Sequence, residues 1–277
     1  MSNTTLNFII FWLLAVLLSG AGVYSLFILK KLPWQKPLFD TIDPAIPISV
    51  GKKGVLIFSK TNGFRHRSIE PGIQAIKKAG TDKGWDVTAT ENGALFNKDY
   101  LGFFKVVVFL STTGDILTSE QKKAFESFVE NGGGYVGIHS ASDTEHHWGW
   151  YDRLLGTHFK SHTLIPKHLV RAMLVTENGN HKATRHLPNY WNKVDEWYNF
   201  KENIRGKRNI EVLISINESS YPAVWPKGMG KDHPISWTNQ MAKGRMFYTG
   251  MGHTAETFLD SNSLLHIIGG IEWAGRF

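Results

Sequence analysis

His139 occupies the position best suited to chemistry, at the centre of Gly137-Ile138-His139-Ser140-Ala141. Small residues flanking a central reactive one suit a nucleophile elbow, where a strand turning abruptly into a helix presses backbone segments together. Ser or Cys usually stands at such a tip. Here the tip is an imidazole, and the 277-residue chain contains no Cys. Cysteine catalysis, thiolate metal sites and disulfides are therefore excluded. An imidazole beyond a strand end can act as a base or a metal ligand, or can simply be hydrogen-bonded within the core.

The partners of His139 can be sought by spacing. Asp143 follows four residues later, where a helical turn would set its carboxylate beside the imidazole. There it would fix the tautomer and strengthen a base or ligand, or it would cap the next helix. His66 and His253 belong to separate loops, the latter in Gly250-Met251-Gly252-His253. Imidazoles meeting at a sheet edge with a carboxylate such as Glu196 would make a divalent-metal site, with zinc the leading choice. His66, His139 and His253 are the candidate ligands; His139, Asp143 and Glu196 are the candidate catalytic groups. No nucleotide cofactor is expected. Trp148-Gly149-Trp150-Tyr151 could wall a sugar pocket or begin a helix and pack it down, with packing preferred for Tyr151. His162, His181 and Asp195 are further polar candidates, while His146 and His147 read as solvated.

These residues need a scaffold that brings strand ends together. Gly54 to Ser59 and Lys105 to Ser111 are short apolar runs of the kind buried in a parallel sheet. Trp85 to Thr90 and Tyr135 to Ile138 supply two more strands. Between them, Ser68 to Lys78 places Ile69, Ile73 and Ile76 on one helical face, with Pro71 near its start. Thr118 and Gln121 have capping-box spacing ahead of a helix ending at Gly132-Gly133-Gly134. Later strands are expected at Leu169–Thr176, Glu211–Ile216, Pro234–Thr238 and Arg245–Gly250, with a closing helix from Ser261 to Trp273. The alternation predicts an α/β fold with helices on both faces of a mostly parallel sheet, and ligands beyond the carboxyl ends of its strands.

Composition is that of a globular domain, 42% hydrophobic and 13% aromatic. The net charge of +7 comes from Lys and Arg scattered among acidic residues. The densest basic spot, Arg205-Gly206-Lys207-Arg208, reads as a solvated loop, and no nucleic-acid-binding motif is present. Residues 1–32 form an N-terminal segment, apolar from Leu6 to Leu29, which suits a membrane anchor or a signal segment cleaved near Gly22. An anchor is favoured, since the amino-terminal flank has no Lys or Arg. Lys30 and Lys31 would draw the following flank towards the cytoplasm, the opposite of what an exported domain needs. Residues 33–50, rich in Pro, read as an extended linker to a domain over 51–277.

Across residues 54–273 the chain resembles the ThuA-like, or trehalose-utilisation, family. The resemblance is carried by Gly63-Phe64-Arg65-His66, the run from Gly132 to Ala141, Asp143, Trp150-Tyr151, Gly156-Thr157-His158-Phe159 with His162, Asp195-Glu196-Trp197-Tyr198, Pro234-Ile235-Ser236-Trp237, Gly244 to Tyr248, and Gly252-His253. It departs at His181-Lys182, where the family commonly has Pro after the His. The resemblance implies a flavodoxin-like, class I glutamine amidotransferase-like three-layer sandwich, with His139 where amidotransferases place Cys. Glutaminase chemistry is then not expected. It implies instead a carbohydrate-active enzyme, a hydrolase or lyase on a disaccharide, glycoside or ketosugar. Trp150, Tyr151, His162 and Trp237 would contact that substrate, and an extracytoplasmic domain would follow from family habit. The rival is a non-catalytic carbohydrate-binding or metabolite-sensing module on the same fold.

Overall fold

The computed structural model describes residues 3–28, 36–42 and 51–277. Helix α1 (Asn3–Ile28) opens the chain. Its side chains are described over 10–24, where Phe11, Leu14 and Leu18 are exposed. Among the described residues no helix is long and apolar enough to cross a membrane. Lys30, Lys31, Pro33, Pro44 and Pro47, on which the flank and linker readings draw, lie outside the described residues. Within the expected linker, residues 36–42 are held against the domain. Asp40 pairs with Lys60 at 2.7 Å and accepts the Gly93 N–H at 3.0 Å, while Asn62 donates to the Leu38 carbonyl at 3.0 Å.

From residue 51 the elements alternate: β1 (Gly54–Phe58), α2 (Ile69–Asp82), β2 (Asp86–Thr90), α3 (Lys98–Leu101), β3 (Val106–Leu110), α4 (Ser119–Glu130) and β4 (Gly134–Ile138). A second stretch follows, with α5 (Gly149–Leu155), β5 (Phe159–His162), β6 (Leu169–Thr176), β7 (Tyr190–Glu196), β8 (Tyr198–Phe200) and β9 (Ile210–Asn217). β10 (Pro234–Met241), β11 (Gly244–Thr249), α6 (Ala255–Leu259) and α7 (Ser261–Gly275) close the fold.

Nine strands form one sheet in the order β2-β1-β3-β4-β11-β10-β9-β6-β7. The first five are mutually parallel. Their arrangement is the flavodoxin order, with β11 in fifth place. Helices α2, α6 and α7 cover one face, with α3, α4 and α5 on the other. That sandwiching explains the unbroken apolar runs of β1 and β3, in which every residue is buried. The remaining strands extend the sheet antiparallel. There β6 and β7 alternate between buried and less buried positions, as strands covered mainly on one side do. The Thr118–Gln121 capping box forms as read.

The elbow is real in its packing. A Cβ on Gly137 would lie 3.3 Å from the Ala141 Cβ and 3.0 Å from Tyr248, so position 137 has no room for a larger residue. His139 itself takes a left-handed φ of 52°, a conformation that costs an L-residue about 1–2 kcal/mol. The chain then enters a 3-10 turn, His139–Asp143, rather than an α-helix.

Candidate metal and catalytic site

Four side chains meet beyond the carboxyl ends of the strands. His66 comes from the β1–α2 loop, His139 from the elbow after β4, His253 from the β11–α6 loop and Glu196 from the last position of β7. One potential ligand atom from each lies within 4.8 Å of every other. His66, His139 and Glu196 are buried and His253 half-buried. The first three loops belong to the parallel half, where strand ends necessarily converge; Glu196 reaches in from the far antiparallel edge.

Hydrogen bonds assign the protons. His139 donates Nδ1–H to the Gly250 carbonyl at 2.8 Å, which leaves Nε2 as the nitrogen turned to the cluster. That nitrogen faces Glu196 Oε2 at 3.5 Å and His253 Nδ1 at 3.3 Å. His253 gives its own Nδ1–H to Glu196 Oε2 at 3.0 Å. His66 uses Nδ1 towards Ser140 Oγ at 3.2 Å, and its ring lies edge-on to those of His139 and His253. The cluster thus gathers three imidazoles around one carboxylate. Such a donor set fits a divalent cation.

Electrostatics point the same way. Burial, reinforced by the neighbouring imidazoles His139 and His253, pushes His66 down to about 2, so it is neutral and ligand-ready at ordinary pH. Burial would raise the Glu196 carboxyl, but the bonds from His139 and His253 hold it well below the usual carboxylate range. Burial would likewise lower His253, yet Glu196 keeps it above its ordinary value.

The support of this cluster was largely invisible in sequence. Asp195 is fully buried and accepts four hydrogen bonds. They come from the backbone N–H groups of Gly252 (3.0 Å), His253 (3.1 Å) and Glu196 (2.9 Å), and from the Thr257 hydroxyl (2.8 Å). Ser68 Oγ donates to the Gly252 carbonyl at 2.7 Å, tying the His66 loop to the His253 loop. Gly252 has φ 137°, and a Cβ there would lie 2.9 Å from Ile138 and 3.2 Å from the His139 Cβ. Tyr198 lies against the His139 ring, centroids 4.2 Å apart, and the Tyr248 hydroxyl donates to the His139 carbonyl at 2.8 Å. His168 adds an exposed ring 5.7 Å from that of His253. Of these, Asp195 and Tyr198, Tyr248, and Gly252-His253 lay in runs that carried a sequence signal; Ser68, His168 and Thr257 did not as site residues.

Several expected site residues lie elsewhere. Asp143 accepts from His146 Nε2 at 2.7 Å rather than orienting His139. The reason is the 3-10 turn: three residues per turn put position 142, not 143, over position 139. Ser142 Oγ duly reaches the His139 carbonyl at 3.3 Å. Trp150, Tyr151 and Trp237 are core residues, not a sugar wall. Trp150 Nε1 donates to Glu130 at 2.8 Å and Trp237 Nε1 to the Leu155 carbonyl at 2.8 Å. Tyr151 hydrogen-bonds Tyr135 and donates to the Ala141 carbonyl at 2.8 Å. Each buries a ring while satisfying its polar atom. His162 is the one substrate candidate at the cluster, its Nδ1 3.4 Å from Glu196 Oε1. His181 lies against Trp273 and accepts from the Ala183 N–H at 3.1 Å.

The fold and sequence have named relatives. A ThuA-like protein from Bacteroides uniformis is 25% identical, with a TM-score of 0.67 over 84% of this chain and 95% of that one. Another from Parabacteroides merdae is 20% identical, with a TM-score of 0.64 over 80% and 90%. A β-galactosidase from Bacillus circulans sp. alkalophilus shares the fold alone, at 14% identity and TM-score 0.50 over 80% of this chain and 30% of its own. No curated protein matches the sequence. The trehalose-utilisation family model matches residues 54–274, which contain all four clustered residues, and the chain therefore belongs to the ThuA family.

Proposed function

We propose that this ThuA domain is a carbohydrate-active enzyme, a hydrolase or lyase on a disaccharide, glycoside or ketosugar. His66, His139, His253 and Glu196 would hold a divalent ion, zinc foremost. The observation that carries this reading is the convergence of three imidazoles and one carboxylate within 4.8 Å at the carboxyl edge of the sheet. When bound, such an ion supplies Lewis acidity towards a sugar oxygen or carbonyl and acidifies bound water.

The chain's own groups have distinct tasks. Asp195 and the Gly250 carbonyl fix the positions of His253 and His139 before substrate arrives. His162, partly exposed beside Glu196, is placed to hydrogen-bond a sugar hydroxyl and to pass a proton between it and Glu196 Oε1. The burial of Trp150, Tyr151 and Trp237 leaves His162 as the substrate contact of the enzyme reading and takes the aromatic wall from the binding-module reading. Membrane attachment through the exposed apolar residues of α1, with the domain extracytoplasmic, completes the proposal. Membrane flotation of the full chain, with protease protection to fix its side, tests that part.

The test of the site is metal analysis and turnover of trehalose and 3-ketodisaccharides, wild type against His139→Ala. About one ion per chain and sugar turnover are expected for wild type, with both falling towards zero in the variant. Unchanged metal and activity would remove His139 from the mechanism.

A further inference from the structure

A second histidine cluster lies behind the elbow, against a cavity of about 540 Å³ that shares none of the four residues above. The cavity runs between the end of α5, Lys201, the loop Lys207-Arg208-Asn209 and the β10–β11 hairpin. Its carboxylates are already engaged. Asp152 faces His158, and Glu202 accepts from Lys207 Nζ at 2.6 Å. Its cations are not matched in the same way. Lys201 Nζ donates to the uncharged acceptor His146 Nδ1 at 3.1 Å, and Arg153 to the Gly149 carbonyl at 3.0 Å. Arg208 makes no hydrogen bond or ion pair among the described residues. Of the basic run noted in sequence, Lys207 is spent on Glu202 and Arg205 on Glu177 and Asp232, at 2.9 and 2.7 Å, which leaves Arg208.

We infer that this cavity is a binding site for a small anionic metabolite, a sugar bearing a phosphate or carboxylate. Lys201, Arg208 and Arg153 take the anion, and the exposed Gln240 of the cavity lining meets the hydroxyls. Three cations without a carboxylate partner supply the charge-assisted hydrogen bonds that such a group accepts. The volume is that of a small-molecule pocket and rules against a polymer as the occupant. The site is built from the same two segments as the His/Glu cluster. Lys201 follows Glu196 and Tyr198 on the β7–β8 segment, and His158 Nδ1 lies 3.0 Å from the Ser142 carbonyl of the elbow turn. The inference does not depend on the enzymatic reading.

Calorimetric titration of the full-length protein with inorganic phosphate, glucose 6-phosphate, glucuronate and glucose tests it, before and after EDTA. Binding of glucose 6-phosphate or glucuronate is expected, with the tighter of the two identifying the anion and glucose giving no heat. Affinity should fall about tenfold or more in Lys201→Ala/Arg208→Ala and in Arg208→Ala alone, both substitutions being at exposed positions. EDTA should leave it unchanged. Absence of anion binding in wild type would overturn the inference, as would equal affinity in both variants. So would binding that EDTA abolishes, since that anion would sit on a metal at the His/Glu cluster.

Discussion

The two histidine clusters use the same residue types to opposite ends. In the first, three imidazoles gather about the single carboxylate of Glu196, whose Oε2 lies 3.5 Å from His139 Nε2 and 3.0 Å from His253 Nδ1. In the second, His146 and His158 each face a carboxylate of their own, Asp143 and Asp152, and Lys201 lies against His146. The first gathers its imidazoles on one carboxylate, and the second matches them pairwise. Counting His and Asp in sequence cannot separate these cases; the partner of each imidazole in the fold does.

Four substitutions press on that contrast. The largest effect is expected for Glu196→Gln, which removes the shared charge while keeping the shape. Metal affinity should fall about 100-fold or more, beyond the roughly 10–100-fold that loss of an outer partner costs. Competition with a chromogenic chelator measures it, and a change under threefold would mean that the three histidines alone make the site. Asp195→Asn should come next. It presents an NH2 group to donors that need an acceptor, costing about 1–3 kcal/mol in urea unfolding of metal-free protein. Metal affinity should drop about tenfold because the His253 loop loses its anchor. Unfolding without any metal effect would demote Asp195 to a packing residue.

Another buried imidazole, His266, belongs to neither cluster and serves as a reference. Burial pushes it from 6.5 down to about 3, with the Ala183 carbonyl opposing. A folded pKa below the unfolded one favours the fold above the unfolded value and loses that contribution as pH falls. Wild type should therefore lose up to a few kcal/mol between pH 6.5 and about 3 through this residue. Urea titrations across that range should show a shallower acid limb in His266→Gln; identical slopes would exclude His266 as the source. The smallest effect is expected for Asp143→Asn. It belongs to the pairwise-matched cluster, so metal content should be unchanged and stability altered by less than about 1 kcal/mol. Loss of metal would return Asp143 to the first cluster.

Much of the parallel half was legible because its signals are local. β1 and β3 are unbroken apolar runs, Thr118 and Gln121 are three residues apart, and Gly137 and Ala141 flank the elbow within one short motif. Placement of His66, His139 and His253 followed from the rule that strand ends of a parallel sheet converge. What failed was of two kinds. Asp143 was placed by helical spacing, but left-handed His139 starts a tighter turn. Trp150 and Trp237 were expected to meet sugar from the family resemblance, yet Glu130 and the Leu155 carbonyl satisfy each N–H in the core. Asp195 was a polar candidate without a partner and Ser68 was not a candidate, since their partners at Gly252 lie 57 and 184 residues away.

The position of β7 has a dynamic consequence. It pairs with β6 alone among the described strands, whereas β4, which carries the elbow, lies between β3 and β11. Edge strands open locally at lower free energy than central ones. Fraying of the last residues of β7 would withdraw Glu196 and release the Asp195 clasp on His253 in one event, while His66 and His139 stayed in register. The site thus has an order of disassembly: its only negative charge leaves first, and the imidazoles left behind are those that hold a cation less tightly.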